Sequence, residues 1–234
     1  MLVTGASSGI GAAVAAELAL RGFTVGCLSR RGTAPPGDGL LSLSADVTDE
    51  EAAGRALAGL VERAGPLRGL VNGAGFNRDG PSADLSAETL RSVLETNFVA
   101  AFGLCRLAHP HLKSAGGGLI VNIGSFFDHL GVANNLAYAA SKAALGALTR
   151  CLAVEWARDG IRVLNVAPGY VLTDLNRDFF SDPDRRARME RRIPAMRLGE
   201  AEEVAKLVAS LFSERIGFLT GETIYLDGGQ GVSL

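Results

Sequence analysis

Lysine and tyrosine are both scarce in this 234-residue chain. Three of the 23 basic residues are lysine (Lys113, Lys142, Lys206), and there are three tyrosines (Tyr138, Tyr170, Tyr225). Only one pairing places a lysine four residues after a tyrosine, Tyr138 with Lys142. Three cysteines (Cys27, Cys105, Cys151) lie far apart, with no C-x-x-C pair and no histidine cluster at ligand spacing. That excludes a disulfide framework and a zinc site, and it predicts buried thiols in a reducing compartment. His109 and His111 flank a proline and read as structural. A net charge of -2 lacks the positive field on which nucleic-acid binding leans. No uncharged apolar run reaches membrane-spanning length. Met1-Leu2-Val3-Thr4-Gly5 carries no basic segment followed by an apolar stretch, as a signal peptide would. The expectation is a cytoplasmic protein with neither nucleic acid nor membrane as a partner.

What is present is an ordinary globular balance, 47% hydrophobic and 21% charged. Short apolar runs alternate with helical patterns from end to end. Strands are predicted at Leu2-Val3, Thr24–Leu28, Leu41–Leu43, Leu67–Asn72, Leu119–Ile123, Ile161–Val166 and Thr223–Leu226. Helices are predicted over Ile10–Leu20, Asp49–Arg63, Ser86 to about Leu112, Ala137–Arg158 and Ala201–Phe212, with Asp49 and Ser86 as caps. This β-α-β alternation predicts an α/β fold, a doubly wound parallel sheet of about seven strands with helices on both faces. No linker or repeat divides residues 1–234, so one domain is expected. A long excursion over about 170–198, with an Arg-rich stretch at Pro183–Arg192, reads as a lid over the ligand crevice.

Three clusters carry chemistry. Thr4-Gly5-Ala6-Ser7-Ser8-Gly9-Ile10-Gly11 lies between a strand and a helix. Gly5 permits the turn, Gly9 lets the backbone approach a pyrophosphate, and Gly11 allows close packing, so the helix start faces the phosphates. At the end of the second strand come Arg30 and Arg31, with no acid until Asp38. Guanidinium suits a ribose 2′-phosphate, which predicts NADP(H) over NAD(H). Tyr138 and Lys142 share one helix face, where an ammonium would draw the phenol pKa down and make Tyr138 a general acid or base. Ser125 follows the fifth strand, where a hydroxyl could hold a carbonyl oxygen. No metal is called for.

Together these residues resemble the classical short-chain dehydrogenase/reductase family along essentially the whole chain. The resemblance implies an NAD(P)-dependent oxidoreductase with Rossmann-like architecture. Catalytic residues would be Asn97, Ser125, Tyr138 and Lys142. The cofactor would contact Gly5, Ser7, Ser8, Gly9, Ile10, Gly11, Arg30, Arg31, Asp46, Val47, Asn72, Ala74, Gly75, Tyr138, Lys142, Pro168, Gly169, Val171 and Thr173. Arg197-Leu198-Gly199 through Val204, Thr220-Gly221 and Asp227-Gly228-Gly229 match the family's closing motifs. Tyr138 would exchange a proton with the substrate oxygen and Ser125 would hold that oxygen. Lys142 would lower the tyrosine pKa and bind the nicotinamide ribose, and Asn97 would anchor a proton-relaying water. The resemblance also implies a homo-oligomer, a dimer or tetramer formed through the long helices containing Asn97 and Tyr138.

Three positions depart from the family pattern. Gly73 replaces one asparagine of N-N-A-G, Leu164 stands where asparagine is usual, and Ser8 stands where NADP users often carry a base. The overall look is closest to 3-oxoacyl-acyl-carrier-protein reductases, with a carbonyl or alcohol substrate carried on such a protein. A sugar or polyol dehydrogenase is the alternative, suggested by Gly169–Asn176. A dinucleotide-binding sensor without turnover is the alternative from another class. Phe126, Phe127, His129, Leu130, Phe179 and Phe180 suggest an apolar or aromatic-tolerant pocket.

Overall fold

In the computed structural model the described residues are 1–173, 176–214 and 216–233. Asp174 and Leu175, in the excursion read above as a lid, lie outside the described residues, as does the side chain of Phe179. Strands β1 (Leu2–Thr4), β2 (Val25–Ser29), β3 (Leu40–Ser44), β4 (Gly69–Asn72), β5 (Gly118–Ile123), β6 (Ile161–Pro168) and β9 (Thr223–Leu226) form one parallel sheet. Its order is β3-β2-β1-β4-β5-β6-β9. The chain winds outward from β1 in one direction, then from β4 in the other, and the reversal opens a crevice beyond the carboxyl ends of these two strands.

Side-chain alternation divides the core between two faces. Leu2, Leu70, Ile120 and Val163 pack with α2 (Glu50–Ala64), α4 (Ala100–Ser114) and α5 (Leu136–Trp156). Their neighbours Val3, Val71, Val121 and Leu164 pack with α1 (Gly9–Leu20) and α7 (Ala201–Ser213). Both faces are apolar, which is why the central strands read as unbroken hydrophobic runs. Leu164, one of the departures, is therefore an ordinary core residue, and the next residue, Asn165, reaches Thr223 Oγ1 at 3.2 Å.

One expectation is refined and another corrected. The long helix from Ser86 does run through to Ser114, but not as one α-helical ladder: between α3 (Ala87–Leu94) and α4 it widens to a π-turn at Glu95–Val99. Ser86 does cap α3, accepting from Thr89 N at 3.1 Å. The wider π-turn shifts the phase of the helix and carries Asn97 into the interior, 1% exposed. Cysteine burial holds for Cys27 and Cys105 but not for Cys151, which is exposed. The sheet-facing positions of α5 are Leu145, Leu148, Thr149, Leu152 and Ala153, and Cys151 falls between them on the outer side.

The excursion after β6 is closed at its base. Strands β7 (Val171–Leu172) and β8 (Gly199–Glu200) pair in parallel, and Phe180, Ile193 and Leu198 form a small core with Tyr170, Leu172 and Met189. Its helix α6 (Pro183–Glu190) is capped by Asp182, which accepts from Asp184 N and Arg185 N. Arg197 grips Glu203 through both terminal nitrogens, at 2.8 and 2.6 Å, and Glu203 also accepts from Glu200 N at 2.9 Å. These bonds hold the Glu203 carboxyl down to about 2, the Arg197 hydrogen bond being the largest cause. A carboxylate whose folded pKa is depressed adds stability above its ordinary 4.5 and loses it as pH falls towards 2. Both groups are partly solvated, so Glu203→Gln should cost no more than about 1 kcal/mol, or about 2–4 °C in Tm, at pH 7. Thermal melts of the two proteins should converge as the pH falls through that window; a constant difference would contradict the assignment.

Candidate active site

The β1–α1 connection is held by close backbone approach. Gly5 has φ +68°, and a Cβ there would lie 2.9 Å from Gly73 and Ala74 backbone atoms. A Cβ on Gly11 would lie 2.4 Å from Gly5 O. The Thr4 hydroxyl joins the two loops, accepting from Gly73 N (3.0 Å) and Ala74 N (3.1 Å). Gly73 itself passes so near that a Cβ would sit 2.7 Å from Thr4 O. The asparagine missing at this position is thus replaced by contact of backbone on backbone. Asn72 still supports the sheet by donating to Asn122 Oδ1 at 2.8 Å.

Helix α1 starts at Gly9 with no side-chain cap from Ser8 and no acidic residue in its first turn. Its first amides, and the positive end of its dipole, are left to face the crevice, as a dinucleotide pyrophosphate requires. Ile10 lies in that turn, and Gly9 faces Thr173, whose side-chain carbons would be 3.6 Å from a Cβ there. Thr173 is set by Asn176, which accepts from Thr173 N at 2.8 Å and donates to Val171 O at 2.8 Å. Pro168 is buried, and Gly169 packs so closely on Asp227 that a Cβ would lie 2.7 Å from its Cα.

Arg30 and Arg31 follow the end of β2 and act on different groups. Arg31 donates to Ser7 Oγ from Nη2 at 2.9 Å and from Nε at 3.2 Å, so it clasps the glycine loop. The Arg30 charge acts on Asp46, which is held below its ordinary carboxyl range first by Thr48 N, with smaller help from the Thr48 hydroxyl and Arg30. Val47, next in the chain, is buried.

Across the crevice, β5 and α5 bring the titratable groups together. Ser125 is 6% exposed; its hydroxyl accepts from Phe127 N at 3.3 Å and acts on the Tyr138 phenol, drawing its pKa down. Lys142 is also 6% exposed, and its Nζ donates to Ile123 O at 2.7 Å. That nitrogen lies 5.4 Å from the centre of the Tyr138 ring. Burial pulls the lysine pKa down from 10.5 to about 8. The phenol moves opposite to expectation: burial raises its pKa, and the influence of the Ser125 hydroxyl offsets this only in part. The physical reason is that Lys142 points its hydrogen bond at a carbonyl rather than at the phenol oxygen.

Asn97 completes the group from the π-turn. Its Oδ1 accepts from Phe76 N (2.9 Å), and its Nδ2 donates to Phe76 O (2.9 Å) and Ser141 Oγ (3.0 Å). Ser141 in turn donates to Tyr138 O at 2.7 Å. Sequence reasoning misses Ser141; the signal is a small hydroxyl three residues after the tyrosine in an alanine-rich helix. Gly75 approaches closely here, since a Cβ would lie only 3.1 Å from Asn97 Oδ1 and 3.7 Å from Lys142 Nζ. The expected aromatic pocket is corrected as well. Phe126 and Phe127 are buried and meet Tyr170 edge-on at 5.2 and 6.0 Å, with Phe127 also meeting Tyr138 edge-on at 5.9 Å. Phe180 is buried in the small core above. They pack the walls.

A family model described as enoyl-(acyl carrier protein) reductase matches residues 5–230. A tropinone reductase homolog of Arabidopsis thaliana is 38% identical over 242 residues, 99% of this chain and 90% of its own length. A 3-oxoacyl-[acyl-carrier-protein] reductase of Mycobacterium avium is 35% identical over 232 residues, with 99% and 89% covered. A gluconate 5-dehydrogenase of Burkholderia cenocepacia, solved with NADP and tartrate, superposes with a TM-score of 0.91 at 28% identity, over 100% of this chain and 95% of that one. Among the described residues no helix is long and apolar enough to cross a membrane. With its glycine loop at the switch point of a seven-stranded parallel sheet, and with relatives of this kind along 99% of its length, the chain belongs to the short-chain dehydrogenase/reductase family of nicotinamide-dependent oxidoreductases.

Proposed function

We propose that this enzyme is an NADP(H)-dependent reductase that converts a ketone, of the 3-oxoacyl type, to a secondary alcohol. The observation that carries the reading is buried Lys142, tied to Ile123 O at 2.7 Å and 5.4 Å from the centre of the Tyr138 ring, with the Ser125 hydroxyl acting on the same phenol. Two hydroxyls converging at a strand end suit one substrate oxygen. The bound nicotinamide supplies the hydride in reduction, or accepts it in the reverse direction. Tyr138, whose phenol is kept protonated by burial, donates its proton to the carbonyl oxygen, and Ser125 holds that oxygen. Lys142 stabilises the phenolate that remains and anchors the nicotinamide ribose. Asn97, near Lys142, would anchor a water that returns a proton from Lys142 to solvent.

The remaining cofactor contacts are assigned to Gly5, Ser7, Ser8, Gly9, Ile10, Gly11, Asp46, Val47, Asn72, Ala74, Gly75, Pro168, Gly169, Val171 and Thr173. Arg30 and Arg31 support the choice of NADP(H), since they are the basic groups at the end of β2. Residues 1–234 act as one domain, with the excursion over about 170–198 as a lid. The relative that reduces a 3-oxoacyl carrier substrate favours the acyl reading. The lid arginines Arg188, Arg191 and Arg192 suit an acidic carrier. The gluconate 5-dehydrogenase likeness favours a sugar acid as the second reading. The enzyme is placed in the cytoplasm as a homo-oligomer.

Tyr138→Phe should lower kcat by about a thousandfold or more while leaving NADPH affinity within about threefold. Stopped-flow reduction with fluorescence-monitored NADPH binding checks this. Full turnover in the variant would contradict the acid role, and NADPH binding without turnover of any carbonyl in the wild-type protein would support the sensor alternative. The Lys142 pKa gives the pH dependence its sign. The ammonium is present below about 8 and lost above it, so kcat/KM for reduction should be flat at neutral pH and fall above about 8; a profile flat far into the alkaline range would contradict it. Changing Arg30 and Arg31 together to alanine should reduce kcat/KM for NADPH by about a hundredfold and for NADH far less. Equal losses with both cofactors would move the 2′-phosphate contact elsewhere.

A further inference from the structure

Helix α5 carries two buried polar side chains on its sheet-facing side besides Ser141. Lys142 and Thr149 are seven residues apart, about two turns, and so share that side. Both meet β5. Lys142 Nζ donates to Ile123 O at 2.7 Å, and the Thr149 hydroxyl accepts from Asn122 Nδ2, one residue earlier, at 2.9 Å. Asn122 and Thr149 are fully buried, each 0% exposed.

The hydrogen bonds around Thr149 run in one direction across the molecule. Asn72 Nδ2 on β4 donates to Asn122 Oδ1 on β5 at 2.8 Å. Asn122 Nδ2 donates to Thr149 Oγ1, and the Thr149 hydroxyl donates its single proton to Leu145 O at 2.8 Å. From Asn72 Nδ2 to Leu145 O each of these atoms therefore has its partner, while Asn72 Oδ1, upstream of them, is buried without one. Elsewhere the contact of α5 with the sheet side of the core is through Leu145, Leu148, Leu152 and Ala153. Apolar contact is non-directional and allows a helix to slide or turn by fractions of an ångström, whereas a buried hydrogen bond does not. The strand held by Asn122 leads directly to Ser125, and the helix held by Thr149 bears Tyr138 and Lys142.

We propose that Thr149 is a positioning residue for the reaction, a buried hydroxyl that fixes the catalytic helix in register with the catalytic strand through Asn122. It stands about 16 Å along the helix axis from Tyr138 and takes no part in the chemistry. Its effect is on how Ser125, Tyr138 and Lys142 meet one oxygen, where an error of about 1 Å costs about a hundredfold in rate.

This inference rests on the roles given above to Ser125, Tyr138 and Lys142, so its test includes a measurement that needs no substrate. Thr149→Val keeps the shape and removes the hydroxyl; Thr149→Ser keeps the hydroxyl. The valine variant should show kcat reduced about tenfold or more with NADPH affinity within about twofold, and the serine variant should recover most of the loss. Because the chain holds three lysines, the spectrum of protein labelled with ¹³C at the lysine ε carbon has few signals to resolve. In the valine variant the Lys142 titration midpoint should move by about half a unit or more, and in the serine variant it should stay at the wild-type value. Wild-type kcat and an unmoved midpoint in Thr149→Val would overturn the proposal. A moved midpoint in a protein that reduces no carbonyl would uphold the positioning role and refute the proposed reaction instead. Should the valine variant fail to fold, Thr149→Cys, with a weaker acceptor of similar size, is measured in the same two ways, and wild-type kcat with an unmoved midpoint would again overturn the proposal.

Discussion

One interaction organises the candidate site: the ammonium of Lys142, taken out of water and tied to the carbonyl of Ile123. Burying a cation is costly unless it is hydrogen-bonded, and here a single backbone oxygen meets it. The cost appears as a lysine pKa pulled down to about 8, close to the range in which an enzyme passes protons. The same bond fixes α5, which bears Tyr138, against β5, which leads to Ser125. Arginine could not replace lysine here, since its planar, always charged head neither fits one carbonyl nor releases a proton.

The rest of the structure serves that contact from two directions. On one side, sheet order places the bare amino end of α1 and the Gly5–Gly73 backbone contact at the switch point, within the same crevice. On the other, the π-turn puts Asn97 under the start of α5, where it holds Ser141 and the Phe76 backbone. Cofactor crevice and titratable pair are thus fixed by different elements, a parallel sheet for the first and a widened helical turn for the second. The base of the 170–198 excursion touches both halves, since Thr173 meets Gly9 while Tyr170 packs on Phe126 and Phe127.

Much of this is legible in the chain, and the parts that are not have physical reasons. Period and glycine spacing locate the seven strands and the loop, because strands buried on both faces leave continuous apolar runs. The i,i+4 spacing locates Tyr138 and Lys142. The π-turn leaves no trace, since α and π turns share residue preferences and differ by one step in the hydrogen-bond ladder. The direction of the tyrosine pKa is hidden because spacing gives proximity but not where the ammonium aims its proton. Phe126 and Phe127 look like pocket lining because composition does not tell a wall from its inner packing. Arg31 reads as a phosphate ligand, and its clasp on Ser7 is tertiary, 24 residues along the chain.

The state of Lys142 in the folded enzyme is the point on which the rest turns. Titration of the labelled lysine signals in the wild-type protein, with Lys142→Met to assign the resonance, measures it without substrate or turnover. The expected result is one lysine with a midpoint near 8, well below its ordinary 10.5. A Lys142 that titrates at its ordinary value would show an amine in contact with water, and the buried lysine–carbonyl contact at the centre of this site would be contradicted.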